Sequence, residues 1–365
     1  MSHRVLIIGG YGNFGSYIAK SLAVDPEITI IIAGRSAEKG MAFAKILNAE
    51  WAMIDIHQNL DEHLAKVKPD IVIHTSGPFQ SQDYDVAQAC IRNHCHYIDL
   101  ADAREFVAGI GTLDAAARAA NVLIISGASS VPCLTSAIID EYQNQFQALG
   151  SVDYAITTAQ QTNRGLATTQ AVLSYAGKPF TTLIDGTMKT IYGWQNLHFH
   201  KFSGLGWRAL GNCNVPDLVL FTERYPELKT IRFYAGLEVP FEHIGLWLLS
   251  WLVRLKFTPS LDKAAPFLLK LSRLFDGLGS DNSGFYMKMS GMDSGGQKKS
   301  ITFNLTARDG IGPYIPCTPA ILLAKRLAHG EITARGAQPC VGLITLPNYL
   351  GALDSKRIAW EASIS

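Results

Sequence analysis

The feature that most constrains this chain stands at its start. A four-residue apolar run, Val5-Leu6-Ile7-Ile8, breaks into Gly9-Gly10-Tyr11-Gly12-Asn13-Phe14-Gly15 and resumes as a helix-like stretch, Ser16–Leu22. A strand that becomes a helix through glycines at positions 10, 12 and 15 has the spacing of a dinucleotide-binding turn. Gly10 makes the tight turn, Gly12 lets backbone N–H groups approach a pyrophosphate, and Gly15 lets helix and strand close up. Tyr11, Asn13 and Phe14 complete the loop, and the helix N-terminus behind it offers partial positive charge to an anion. A plain glycine-rich turn would use the same residues, but the order strand, motif, helix favours a nucleotide.

Similar apolar runs follow at Ile28–Ala33, Trp51–Ile54, Ile71–His74, Tyr97–Leu100 and Val122–Ser126, separated by helix-like stretches. Unbroken apolar runs mark strands covered on both faces, as in a parallel sheet between two helical layers. Residues 1–130 are therefore expected to form a doubly wound Rossmann domain, α/β in class, with its sites at the carboxyl ends of the strands.

The end of the second strand selects the nucleotide. An Asp or Glu there accepts ribose hydroxyls and repels a 2′-phosphate, but this chain has Ala33-Gly34-Arg35-Ser36 instead. Arg35 offers a planar fork to a phosphate and Ser36 a further donor, so the cofactor expected is NADP(H). A solvated loop arginine is the plainer alternative. Asp55 can accept from an adenine amino group or cap the next helix. In Ser76-Gly77-Pro78-Phe79 the small Gly77 either lets a nicotinamide ribose lie on the backbone or belongs to an ordinary Gly-Pro turn.

The stretches GGYGNFG, AGRS, HTSGPF, Cys90–Asp102 and Ser126–Asp140, with NRGLATTQAVLSYAGKPF, DGIGPYIPC and GAQPCVGLITLPNYL further on, resemble the saccharopine dehydrogenase-like oxidoreductases, in particular a short bacterial branch. The resemblance spans nearly the whole chain. It implies a Rossmann domain with a β-rich second domain inserted before the C-terminal segment. It also implies NADPH-dependent hydride transfer at an imine or amine of an amino-acid-like substrate.

From about residue 151 the pattern alternates, at Val152–Ala159, Lys189–Phe202, Leu228–Val239, Gly284–Met292 and Lys298–Ala307. Asp293-Ser294-Gly295-Gly296 joins the last two as a hairpin. Residues 131–313 are expected to form an α+β domain with a mainly antiparallel sheet, serving substrate closure and homodimer contact. The helix-like Pro319–His329 and strand-like Val341–Thr345 would return the chain, over about 314–365, to the first domain.

Charged residues make up 17 % of the chain, against about 25 % in an average soluble domain. Part of the apolar surplus collects at Ile244–Val253, an uncharged ten-residue run followed by Arg254 and Lys256, and at Phe267–Phe275. Ten residues cannot span a bilayer that needs about 20. Core, dimer interface, lipid-like substrate and peripheral membrane contact all remain open for them. A net charge of +1 without basic runs argues against nucleic acid as a partner. A short first apolar run and six dispersed cysteines suit a cytoplasmic protein with reduced thiols.

Candidates for catalysis follow the strand ends. Tyr97, Asp99 and Asp102 lie at the fifth strand and Cys133 follows the sixth; a carboxylic acid there can protonate an atom that gains charge after hydride transfer. Thr168 and Thr169, at a helix start, can hold a substrate anion. No metal is expected. Cys90, His94, Cys95 and His96 lack a partner cluster, and His198 with His200 lacks a third ligand. Tyr225 and Lys229 have a short-chain dehydrogenase spacing, but Pro226 disfavours the helix that chemistry needs. An NADPH-dependent C=C or C=O reductase of a lipid-like substrate and a non-catalytic NADPH sensor are the alternatives.

Overall fold

The structure, a computed structural model, describes residues 2–365 and divides into two units. The first comprises residues up to Leu134 together with Pro316–Ile344, and the second Thr135–Ile315 together with Thr345–Ser365.

The first unit begins with six strands: β1 (His3–Ile8), β2 (Ile28–Gly34), β3 (Glu50–Met53), β4 (Ile71–His74), β5 (His96–Asp99) and β6 (Leu123–Ser126). All belong to one parallel sheet in the order β3-β2-β1-β4-β5-β6, which reverses direction beside β1. Val5–Ile8, Ile71–Ile73 and Ile124–Ile125 are essentially inaccessible, which is why their sequence shows no alternation. Leu6, Ile31, Val72, Tyr97 and Ile124 share one core cluster with Leu64, Cys90 and Ala117 from the helices.

The second unit carries β7 (Ala148–Thr157), the hairpin β8 (Pro179–Ile184) and β9 (Thr187–Tyr192), β10 (His198–Phe202), β11 (Gly206–Asn212), β12 (Thr230–Gly236), β13 (Ser283–Met292) and β14 (Lys298–Ala307). The chain then re-enters the first unit through the helix Thr318–Ala328 and β15 (Gly336–Pro339), which pairs parallel to β6 as the seventh strand. It ends in the second unit as β16 (Ile358–Ile364), at the edge of a seven-stranded sheet ordered β10-β11-β12-β7-β13-β14-β16. That sheet is mixed, since β12 and β7 run parallel while its other neighbours are antiparallel.

Three expectations need correction. The returning segment is Pro316–Ile344, not all of 314–365, because the last residues pair with β14. The strand of that segment is Gly336–Pro339, with Val341–Thr345 in bends beyond it. Lys189–Phe202 is two strands, divided where Trp194 and Asn196 adopt left-handed backbone at φ 58° and 60°. The run Ile244–Val253 lies inside the fifteen-residue helix Pro240–Arg254. No helix among the described residues is long and apolar enough to cross a membrane.

Candidate functional site

At the carboxyl end of β1 the chain turns through Gly9, whose φ of +80° is the left-handed value that favours glycine. The tight turn thus belongs to Gly9 rather than to Gly10, which the spacing assigned to it. A side chain at Gly9 would also collide with Ser76 Oγ at 2.6 Å and Thr75 Oγ1 at 2.7 Å, so the turn seats directly on the end of β4. Thr75 fastens that seat by donating its hydroxyl to Ile8 O at 2.9 Å.

The other glycines are required by close approach. A Cβ on Gly10 would lie 2.8 Å from Ile7 O, and one on Gly15 only 2.3 Å from Gly9 O. Gly15 therefore lets the helix Asn13–Leu22 start against the turn itself. No side chain caps that helix at Gly12 and no acid occupies its first turn, so its positive end is not neutralised locally.

Tyr11 ties the turn to β2. Its hydroxyl accepts a hydrogen bond from Ser36 N at 2.9 Å, and its ring fills the space a Gly34 side chain would need, 2.5 Å from the ideal Cβ position. Ser36 caps the helix Ala37–Leu47, accepting from Lys39 N, and its own hydroxyl proton stays available for another acceptor. Arg35 beside it is exposed. Asp55 is half-buried and accepts from His57 N at 3.1 Å, holding a turn. The cap of the following helix is Asn59, so Asp55 is not that cap.

At the end of β4, Gln82 donates to Ser76 O and Pro78 O. A Cβ on Gly77 would meet Phe79 no closer than 3.6 Å, so space stands open beside this backbone. Phe79 is buried edge-on against His74. His74 is buried too, shares a 3.1 Å hydrogen bond with the Tyr97 hydroxyl, and has its pKa pushed down to about 4 by burial, which keeps it neutral.

The four catalytic candidates separate by exposure. Tyr97, Asp99 and Cys133 are buried, whereas Asp102 is exposed and accepts from Gln80 Nε2 at 3.1 Å. Asp99 Oδ1 receives Gly127 N at 2.8 Å, Ala101 N at 2.9 Å and Ser126 Oγ at 3.0 Å, tying β5 to the end of β6, while Oδ2 has no hydrogen-bond partner. Burial pushes its pKa up to about 6 against those hydrogen bonds. Cys133 sits beside Cys340, and burial pushes the Cys340 thiol well up. The glycine turn, Arg35 and Ser36, Asp55, the 76–79 turn and these four residues all lie at the carboxyl ends of the first unit's strands.

Thr168 and Thr169 belong to the second unit, in the first turn of the helix Leu166–Tyr175; Thr169 donates to Gly165 O at 3.1 Å and Thr168 is exposed. His200 stacks on Tyr286 with ring centroids 3.7 Å apart. Among the described residues no three His, Cys, Asp or Glu side chains are grouped as metal ligands. Tyr225 donates to Asp140 at 2.8 Å, a structural role. Gly9, Gly34 and His74 escaped the sequence reading, although the Gly9-Gly10 doublet and the glycine before Arg35 were visible signals.

Residues 5–125 match the family model of the saccharopine dehydrogenase NADP-binding domain. No curated protein matches the sequence. Among solved structures, the apo L-glutamate-forming saccharopine dehydrogenase of Saccharomyces cerevisiae is similar at TM-score 0.70 and 14 % identity, covering 99 % of this chain and 100 % of its own. The homospermidine synthase of Legionella pneumophila in complex with NAD is similar at TM-score 0.60 and 11 % identity, covering 100 % of this chain and 92 % of its own. The amine dehydrogenase of Mycobacterium smegmatis follows at TM-score 0.51 and 13 % identity, over 93 % and 95 %. Residues 5–125, which hold the glycine turn, thus match a saccharopine dehydrogenase NADP-binding domain, and the chain as a whole shares the fold of the Saccharomyces cerevisiae saccharopine dehydrogenase.

Proposed function

We propose that the protein is an NADP(H)-dependent oxidoreductase that transfers a hydride at a C–N bond of an amino-acid-like substrate. The observation that carries the cofactor choice is the end of β2. An exposed Arg35 and the Ser36 hydroxyl stand there in place of an acid, beside a glycine cradle in which added Cβ atoms would collide with the backbone. That cradle fits a pyrophosphate on backbone N–H groups, and the cation beside it fits a 2′-phosphate. NADPH, when bound, supplies the hydride.

The chain's own residues supply orientation and charge. Gly9, Gly10 and Gly15 bring the positive helix end to the turn, and Tyr11 holds Ser36 in place. Asp99, being buried, acts as a positioning residue for the β5 and β6 ends. Asp102 is the carboxyl of the four candidates that solvent reaches, and we assign it the handling of a proton. The choice of a C–N bond draws its support from the family of residues 5–125 and from the amine chemistry in the names of the structural neighbours.

The test is a fluorescence titration of NADPH and NADH. Wild-type protein is expected to favour NADPH, and Arg35→Ala to weaken NADPH by about tenfold, roughly 1.4 kcal/mol, with NADH unchanged. Equal affinities in the wild type would overturn the NADP assignment. Turnover, followed by NADPH absorbance, is expected with pairs of an amino acid and an aldehyde or keto acid. Activity confined to enoyl or keto lipids would overturn the C–N assignment.

A further inference from the structure

Among the described residues, nine of the twenty large apolar side chains that are exposed fall within residues 241–278. They form two helical stripes. In the helix Pro240–Arg254 and its cap, Phe241, Leu248, Leu252 and Leu255 are spaced by seven, four and three residues and so lie on one face. Gly245 is on that face as well, and a Cβ added there would meet nothing within 4 Å. In the helix Ala265–Ser272, Phe267 and Leu271 are four apart on one face, Leu274, three further on in the 3₁₀ segment that follows, continues it, and Leu278 at the end of that segment is exposed as well.

The opposite faces of both helices are already satisfied. Val253, Ala265 and Leu261 pack with Leu173 and Trp194 in one buried cluster, joined by Leu246, Leu249 and Leu268. These helices are apolar on two sides, and a helix apolar all round is ordinarily buried or in contact with lipid. At about 1.5 Å per residue the fifteen-residue helix is roughly 22 Å long, short of a bilayer core of about 30 Å.

Charge selects the occupant. The charged residues between 241 and 278 that are exposed as whole residues are basic: Arg254, Lys256, Lys263, Lys270 and Arg273, of which Arg254 also lies over the Tyr192 and Trp251 rings and donates to Gln195 Oε1. The three acids of the segment are all partly buried, and Asp276 is paired with Arg164. Exposed apolar stripes set among five cations, against three less accessible acids of which Asp276 is already ion-paired, are complementary to an anionic lipid surface.

We propose that the face formed by residues 241–278 docks the protein on anionic membranes, with the two stripes entering the acyl boundary and the five cations lying among headgroups. The proposal is independent of the cofactor assignment, because every residue it uses lies in the second unit. It is tested by flotation of the full-length protein with vesicles of phosphatidylcholine alone or with about one third phosphatidylglycerol. The expected result is co-flotation with the anionic vesicles, at least about tenfold less with neutral ones, and release at about 1 M salt, where screening acts over about 3 Å. Leu248→Glu/Leu274→Glu and, separately, Lys270→Glu/Arg273→Glu should each cut flotation by about tenfold while circular dichroism and NADPH binding stay as in wild type. Failure of the wild type to float with anionic vesicles overturns the proposal. So does flotation that neither variant reduces, or a wild-type dimer in sedimentation that Leu248→Glu/Leu274→Glu turns into monomer.

Discussion

Gly15 gives the sharpest residue-level expectation. Its missing side chain is replaced in space by the carbonyl of Gly9, so Gly15→Ala must push the helix off the turn. NADPH affinity should fall by about tenfold or more, since the backbone donors move relative to one another, and the thermal midpoint should drop by several degrees. Titration and a melting curve on one preparation check both. A Gly15→Ala protein with unchanged affinity would show that the cradle does not need this contact. At this scale the sequence was partly legible. The glycine spacing and Arg35-Ser36 could be read because both motifs follow from local chain geometry. Gly9 as the left-handed residue could not, because Gly9 and Gly10 are equally permissive and only the approach of Thr75 and Ser76 distinguishes them. His74 read as the last residue of an apolar strand, and its bond to Tyr97 joins residues 23 apart.

Among elements, β16 carries a clear prediction. It closes the β14 side of the second sheet, so deleting Arg357–Ser365 would bare backbone N–H and C=O groups along Ser300–Arg308. The truncated protein is expected to lose stability and to self-associate, measured by thermal melting and light scattering, and a monomer of wild-type stability would refute this role. The legible elements were those whose burial is written in their period. The six buried strands have continuous apolar runs, and the β13–β14 hairpin has alternation and a turn in which Asp293 Oδ1 accepts from Gly295 N at 2.8 Å and Gln297 N at 2.9 Å. β15, with the sequence Gly-Ala-Gln-Pro, has neither signal and is a strand because β6 lies beside it. β16 keeps Trp360 and Ile364 exposed, so its composition gives no buried face to read.

At the scale of the molecule, desolvation raises several carboxyl groups, Asp102 in the first unit and Asp153 and Glu242 in the second among them, and drives one in each unit furthest toward neutrality. Asp99 in the first is raised to about 6, and Asp217 in the second, hydrogen-bonded by the Tyr154 hydroxyl, to about 7, both from an ordinary 3.8. With folded values above unfolded ones, the native protein binds more protons than the unfolded chain across this window. Their contribution to stability is therefore full below about pH 4, falls as pH rises toward 7, and is flat beyond it. Asp99→Asn and Asp217→Asn should each gain stability relative to wild type on going from acid to neutral pH, with the Asp217 gain extending to the higher pH. Urea unfolding across that range measures it, and parallel wild-type and variant curves would rule it out.

The path of the chain through the two units bears on how the protein is made. It leaves the first unit after Leu134, returns at Pro316, and leaves again after Ile344. On a ribosome, the dinucleotide sheet emerges early with six of its strands but waits for its seventh until the whole of the second unit's β7–β14 has been synthesised. The second sheet in turn waits for β16, which is made after that return. Neither unit is continuous in sequence, so a product that stops before Pro316 would carry two unfinished sheets, the first without β15 and the second without β16.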